Sequence, residues 1–171
     1  LPEIPDVTKM ATIEALGYLC DSIDPDAATT NKPTVDQILN AIVQGMSHSN
    51  VEIQRAATTA LYNTIAFTAA NFDVEAERNA IMQATFQAAQ SADMHIKKRA
   101  FDCLLEIVDN YYEVIGPVDQ FMNTIYTLTT GAMGDTTNSD LARLGFEFWI
   151  TVSEIESSCK ENEETYCHLL E

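Results

Sequence analysis

The side chains best suited to hold a metal or to attack a substrate are three histidines and four cysteines, and their spacing argues against both uses. His48, His95 and His168 are dispersed along the chain, with no HExxH and no His/Cys cluster of zinc spacing. Cys20, Cys103, Cys159 and Cys167 form no CxxC pair. Cys20 and Cys103 fall inside amphipathic patterns, where cysteine behaves as a small apolar residue, so free thiols in a reducing compartment are expected. Cys167 and His168, next to Cys159, read as chance neighbours. "DTTNSD" (135–140) offers oxygens but lacks the central glycine and closing glutamate of a calcium loop, and is read as a polar turn capping the next helix. Asp24-Pro25-Asp26 has the same status. Neither GxxxxGK[ST] nor GxGxxG occurs, and no nucleophile is matched with a base. The expectation is a chain without enzymatic activity, cofactor or metal, which works through its surface.

That surface is strongly acidic. Nine Lys and Arg stand against 26 Asp and Glu, a formal net charge of −17. Such a field repels nucleic acid and anionic lipid and attracts basic partners. No run approaches the ~18 apolar residues of a membrane span. The 171 residues, 46% of them hydrophobic, are enough for a packed core. The chain opens at Leu1 and stops inside the helical-looking "ENEETYCHLLE", as an excised fragment would.

Apolar residues recur at spacings of three and four through seven stretches, which predicts an all-α protein. The expected helices cover 8–23, 34–47, 51–68, 74–90, 94–113, 118–134 and 140–157, with an eighth starting near Glu161. Pro25, Pro33 and Pro117 are placed between helices, where a missing N–H does no harm. Thr34 with Gln37 is read as a capping box, and Asn50, Asp73 and Asp93 as N-caps. Short and long connections alternate, as in stacked helical hairpins.

Superposing "ATIEALGYLC", "AATTALYNTI", "AFDCLLEIVD" and "LGFEFWITVS" puts Leu16, Leu61, Leu105 and Trp149 in one column, spaced 45, 44 and 44. Arg55, Arg99 and Arg143 make a second column, spaced 44 and 44. Two helices per 40–47 residues is the signature of HEAT or armadillo repeats, whose hairpins bury their apolar faces only by stacking. The expected fold is an α-solenoid, a right-handed superhelix of HEAT repeats. Its parts would be a partial repeat over 1–26, repeats over 34–68, 74–113 and 118–157, and a partial last one. The arginine column is read as a structural ladder bridging successive repeats, with phosphate binding as the alternative.

"TIEALGYLCDSIDPD" (12–26), "ILNAIVQGM" (38–46), "NFDVEAERNAIMQ" (71–83) and "GFEFWITV" (145–152) resemble, in order and spacing, segments of the importin-β (karyopherin-β) family. The likeness covers nearly the whole chain and corresponds to about the fourth to seventh HEAT repeats. It implies a nuclear import receptor, working in cytoplasm, nucleus and nuclear pore. First helices of the hairpins would meet phenylalanine-glycine (FG) repeats of nucleoporins on the convex face. Second helices would meet basic cargo, an importin-α-type adaptor or the GTPase Ran on the concave face, Ran needing flanking repeats. The family's aromatic slot maps onto Leu39, Asn40, Val43, Glu77, Ala80 and Ile81, with Ala80 standing where the family pattern has a bulky phenylalanine. The spacing is compatible, since Leu39 with Val43 and Glu77 with Ile81 are i,i+4 pairs. The competing reading is that these apolar groups simply seal one helix against the next.

Acidic residues recur on the second helices: Glu14 and Asp21; Asp102, Glu106 and Asp109; Glu147 and Glu154. Spacings of three, four and seven place each set on one helix face. They make either a negative lining for a basic ligand or an ordinary solvated face. The alternative to an import receptor is a HEAT scaffold of another complex, such as a phosphatase scaffold subunit.

Overall fold

A computed structural model describes residues 4–22 and 31–161. The described residues form α1 (Asp6–Asp21), α2 (Lys32–Met46), α3 (Val51–Thr64), a 3-10 turn (Ile65–Phe67), short α4 (Ala69–Phe72), α5 (Glu75–Ala89), α6 (Met94–Ile115), α7 (Asp119–Met133) and α8 (Ser139–Glu161). No strand occurs among them. Pro25, the Asp24–Asp26 stretch, Cys167, His168 and most of the expected eighth helix lie outside the described residues.

Side-chain caps start three of the described helices, and other expected caps are corrected. The Asn50 side chain accepts from Glu52 N and starts α3. Asp93 Oδ1 accepts from His95 N and Ile96 N and starts α6. Asn138 Oδ1 accepts from Leu141 N, so the 135–140 turn does cap α8, while Asp135 holds Thr137 within the turn. Thr34, by contrast, is not a cap: α2 begins two residues earlier, with Pro33 inside its first turn. A proline lacks only an N–H that has no helical partner there anyway. Asp73 likewise ends α4 rather than starting α5, whose N-cap position is Val74. The expected helix over 51–68 breaks at Thr64, where the chain tightens into the 3-10 turn and then α4.

Two compact units divide the chain, Leu1–Cys103 and Leu104–Glu171. In the first, Ile42, Ile53, Leu61, Ile65, Phe72, Met82 and Ile96 are fully buried. α1 and α3 approach closely at Gly17, where an added Cβ would lie 3.1 Å from Ala60 Cβ. Gly45 of α2 is tighter still, since a Cβ there would stand 2.8 Å from Ile13 Cδ1 and 2.9 Å from Ala57 Cβ. Three helices therefore meet where side chains are smallest.

In the second unit Phe148, Leu104, Ile107, Ile115 and Ile125 fill the core. Trp149 Nε1 donates to Thr129 Oγ1 at 2.8 Å, tying α8 to α7, and its ring meets those of Tyr126 and Phe148 edge-on. Near its end α6 leaves helical geometry at Tyr111 (φ −137°, ψ 24°). The next residue, Tyr112, donates its hydroxyl to the carboxylate of fully buried Glu156 on α8. Losing a buried hydrogen bond costs about 0.5–1.5 kcal/mol. Tyr112→Phe is accordingly expected to lower the melting temperature, read by circular dichroism, although it removes only one oxygen.

Candidate functional site: a slot between α2 and α5

The N-terminal halves of α2 and α5 carry both polar and apolar side chains, and the two helices bring them together. From α2 come Asp36, Leu39, Asn40 and Val43; from α5, Glu77, Ala80 and Ile81; and from α4, Asn71. They enclose a cleft of about 170 Å³. That approximates the ~150 Å³ of an engineered apolar cavity that binds a single benzene. Leu39 (5% exposed) and Ile81 (2% exposed) form its floor, Val43 is half-buried, and Ala80 and Asn40 are exposed on the rim. All six residues assigned to the aromatic slot by resemblance thus line one cleft, and the apolar groups seal the helices and border an opening at once.

One end of the slot is polar, and this the sequence reading missed. Lys32 Nζ donates to Asp36 Oδ1 at 2.8 Å and to Glu77 Oε2 and Oε1 at 2.9 and 3.2 Å. Buried Asn71 donates through Nδ2 to Asp36 Oδ1 at 2.6 Å and Glu77 Oε2 at 2.7 Å. Only an amide NH₂ can face two carboxylates in this way, so the orientation of Asn71 follows from its neighbours. The hydrogen bond from Lys32, then that from Asn71, holds the Asp36 carboxyl below its ordinary range, while Asp36 and Glu77 raise Lys32. Asp36, three positions before Leu39, was findable as part of the same helix face; Lys32 and Asn71 carried no such signal.

The arginine column splits into three different contacts. Arg55 of α3 bonds Asp93, the cap of α6, through Nε (3.2 Å) and Nη2 (2.5 Å), and also reaches Glu52. Arg99 lies 4.9 Å from the Tyr62 ring centroid and pairs with Asp102 of its own helix. Arg143 pairs with Glu147, one turn along its own helix. The bond from Arg55, helped by the α6 backbone, depresses the Asp93 carboxyl to about 2. A carboxylate whose folded value lies below its unfolded one, about 3.9, stabilises the fold above that value and ceases to do so as pH falls through the folded value. The melting temperature is therefore expected to drop between about pH 4 and pH 2, and Asp93→Asn, which can still cap α6, is expected to flatten that part of the profile.

On the second helices Glu14 and Asp109 are exposed, and Asp102 and Glu106 are half-buried, as is Glu147; Glu154 is exposed. Asp21 belongs to α1, but its side chain lies outside the described ones. Within the first unit, Glu14, Gly17, Tyr18, Glu52, Arg55 and Asn63 border a second cleft of about 210 Å³ between α1 and α3. Asp102 and Glu147 are spent on Arg99 and Arg143, so not every member of the acidic set is free for a ligand. Among the described residues no three His, Cys, Asp or Glu side chains are placed to hold a metal, and no helix is long and apolar enough to cross a membrane.

Helical hairpins with a cleft between α2 and α5 mark a protein of the HEAT-repeat class. No protein-family model matches the sequence. Importin subunit beta-1 of Arabidopsis thaliana is 36% identical over 156 residues, 90% of this chain and 17% of that protein. Among solved structures, yeast importin-β (Kap95p) is 33% identical over 94% of this chain, with a TM-score of 0.80. Kap95 in a Kap95:Nup1 complex is 33% identical with a TM-score of 0.82, and Kap95p bound to RanGDP is 32% identical with a TM-score of 0.76. The chain covers 18% of the first two Kap95 chains and 17% of the third. This chain is homologous to importin-β, and its fold is the all-α HEAT-repeat fold of that protein.

Proposed function

We propose that the chain is part of a nuclear import receptor, a non-catalytic scaffold whose α2–α5 slot takes the phenylalanine ring of a nucleoporin FG repeat. The observation that carries this reading is the meeting of Leu39, Asn40, Val43, Glu77, Ala80 and Ile81 around one ring-sized cleft. The solved Kap95:Nup1 complex supports it from the side of the homologue. Full burial of one aromatic side chain is worth about 1.5–3 kcal/mol, less than the ~4.1 kcal/mol of a millimolar complex. A lone ring is therefore held weakly, and tethered repeats gain by raising the local concentration of the next ring. Such contacts exchange fast, which suits movement through a pore between cytoplasm and nucleus.

The acidic second helices support basic cargo or an importin-α-type adaptor as the ligand of the inner face. The Ran complex of Kap95p supports Ran as a further partner, one that needs repeats beyond this segment. The experiment is capture on immobilised FG-repeat peptide: weak retention, competed by free repeats, is expected. A chain that washes through would instead be a scaffold of another complex, such as a phosphatase scaffold.

Ala80 leaves one wall of the slot low. Ala80→Phe adds a ring at an exposed position, where an aromatic pair contributes about 0.5–1.5 kcal/mol. Retention on the same peptide is expected to rise several-fold.

A further inference from the structure

At the polar end of the slot Lys32 and Asn71 have spent their donors on two carboxylates, while the carboxylates keep acceptors. Lys32 directs its ammonium at Asp36 Oδ1 and both Glu77 oxygens. Both N–H groups of the Asn71 amide go to Asp36 Oδ1 and Glu77 Oε2. What remains is Asp36 Oδ2, which accepts from no described residue although its partner oxygen accepts twice. Asn71 Oδ1 is also without a donor among the described residues, and the Asp36 side chain is 40% exposed, open to a ligand. A ligand whose ring sits between Leu39 and Ile81 gains by bringing a hydrogen-bond donor to Asp36, whose carboxylate offers only lone pairs.

We infer that Asp36 is a specificity-determining residue of the slot, its free Oδ2 accepting the main-chain N–H next to the bound aromatic residue. This rests on the slot being an aromatic-ring site as proposed above. The donor is fixed by chemistry: an extended peptide always carries an N–H one residue beyond the ring. With the ring held in the slot, that N–H comes closest to the Asp36 carboxylate when its own residue has no bulky side chain to press on the rim at Asn40 and Ala80. Glycine meets that demand, and the depressed pKa of Asp36 keeps the acceptor charged at neutral pH. The contact also gives a direction to the bound chain, because the slot is apolar toward Val43 and polar toward Asp36.

The test is a double-mutant cycle on the whole chain, read from amide shifts of α2 and α5 in a nuclear magnetic resonance titration with millimolar peptide. The peptides carry one Phe-Gly, or the same sequence with N-methylglycine after the phenylalanine. Against the unmodified chain, N-methylation is expected to weaken binding about tenfold, as for loss of a charge-assisted hydrogen bond. Asp36→Ala is expected to weaken the parent peptide similarly and to erase the difference between the two peptides. Asp36→Asn, which preserves shape and one acceptor oxygen, should restore part of it. An equal penalty for N-methylation in Asp36→Ala, or undiminished binding of the parent peptide by that variant, overturns this inference and leaves the aromatic slot standing. Failure of the unmodified chain to bind the parent peptide at all overturns both.

Discussion

Val43→Asp is expected to abolish retention of the chain on FG-repeat peptide while leaving its helix content and melting temperature almost unchanged. Val43 stands half-buried on the α2 wall of the slot, so the new carboxylate keeps access to water in the free protein and costs the fold little. A bound ring would cover it. Desolvating a polar group without a partner costs about 1–3 kcal/mol, as much as the ring gains by burial. The adjacent polar end sharpens the effect, since Asp36 and Glu77 already place two carboxylates there against one lysine. The bound fraction is expected to fall by at least about tenfold, with Ile81→Asp as a harsher companion because that side chain belongs to the floor. Undiminished capture by a folded Val43→Asp protein would remove the slot assignment.

Phe72→Ala is expected to have the largest effect on stability. Phe72 ends α4 with no exposed surface, and truncating such a ring costs about 3–5 kcal/mol through lost burial and the cavity left behind. It also reaches the slot. Asn71, its neighbour in the same short helix, bridges Asp36 and Glu77, and the Phe72 carbonyl accepts from Arg78 Nη1 of α5 at 2.7 Å. Loosening α4 therefore frees the clamp that sets the polar end. The expected result is a clear loss in denaturant midpoint by circular dichroism, together with weaker FG-peptide binding at temperatures where the variant is still folded. A stability loss with unaltered binding would show that α4 packs the fold without shaping the slot.

Much of the architecture was legible because it depends on neighbours in sequence. Apolar spacing gave the helices, and Asn50 and Asp93 were readable as caps because a cap bonds residues two or three positions away. The errors at Thr34 and Asp73 have the same origin. Several residue types near a helix start can cap, and the choice falls to whichever turn the tertiary packing admits: α2 gained two residues, Pro33 among them, and α4 claimed residues 69–72. The slot residues were legible in part, since i,i+4 pairs state which side chains share a ridge, and resemblance supplied which two ridges should meet.

By itself the sequence determined an acidic, all-α chain with a helical-pair period of about 44 residues, and the two i,i+4 ridges that carry Leu39 with Val43 and Glu77 with Ile81. Only the tertiary structure decided what those ridges do together. Lys32 reaches Glu77 across 45 positions, Asn71 reaches Asp36 across 35, and Arg55 reaches Asp93 across 38, while Arg143, of the same column, stays within its own helix. Helical periodicity fixes the face a side chain occupies, but the packing of one helix on the next fixes whether two faces approach within a hydrogen bond. A few tenths of a nanometre in that approach separate a sealed seam from an open cleft with acceptors left over.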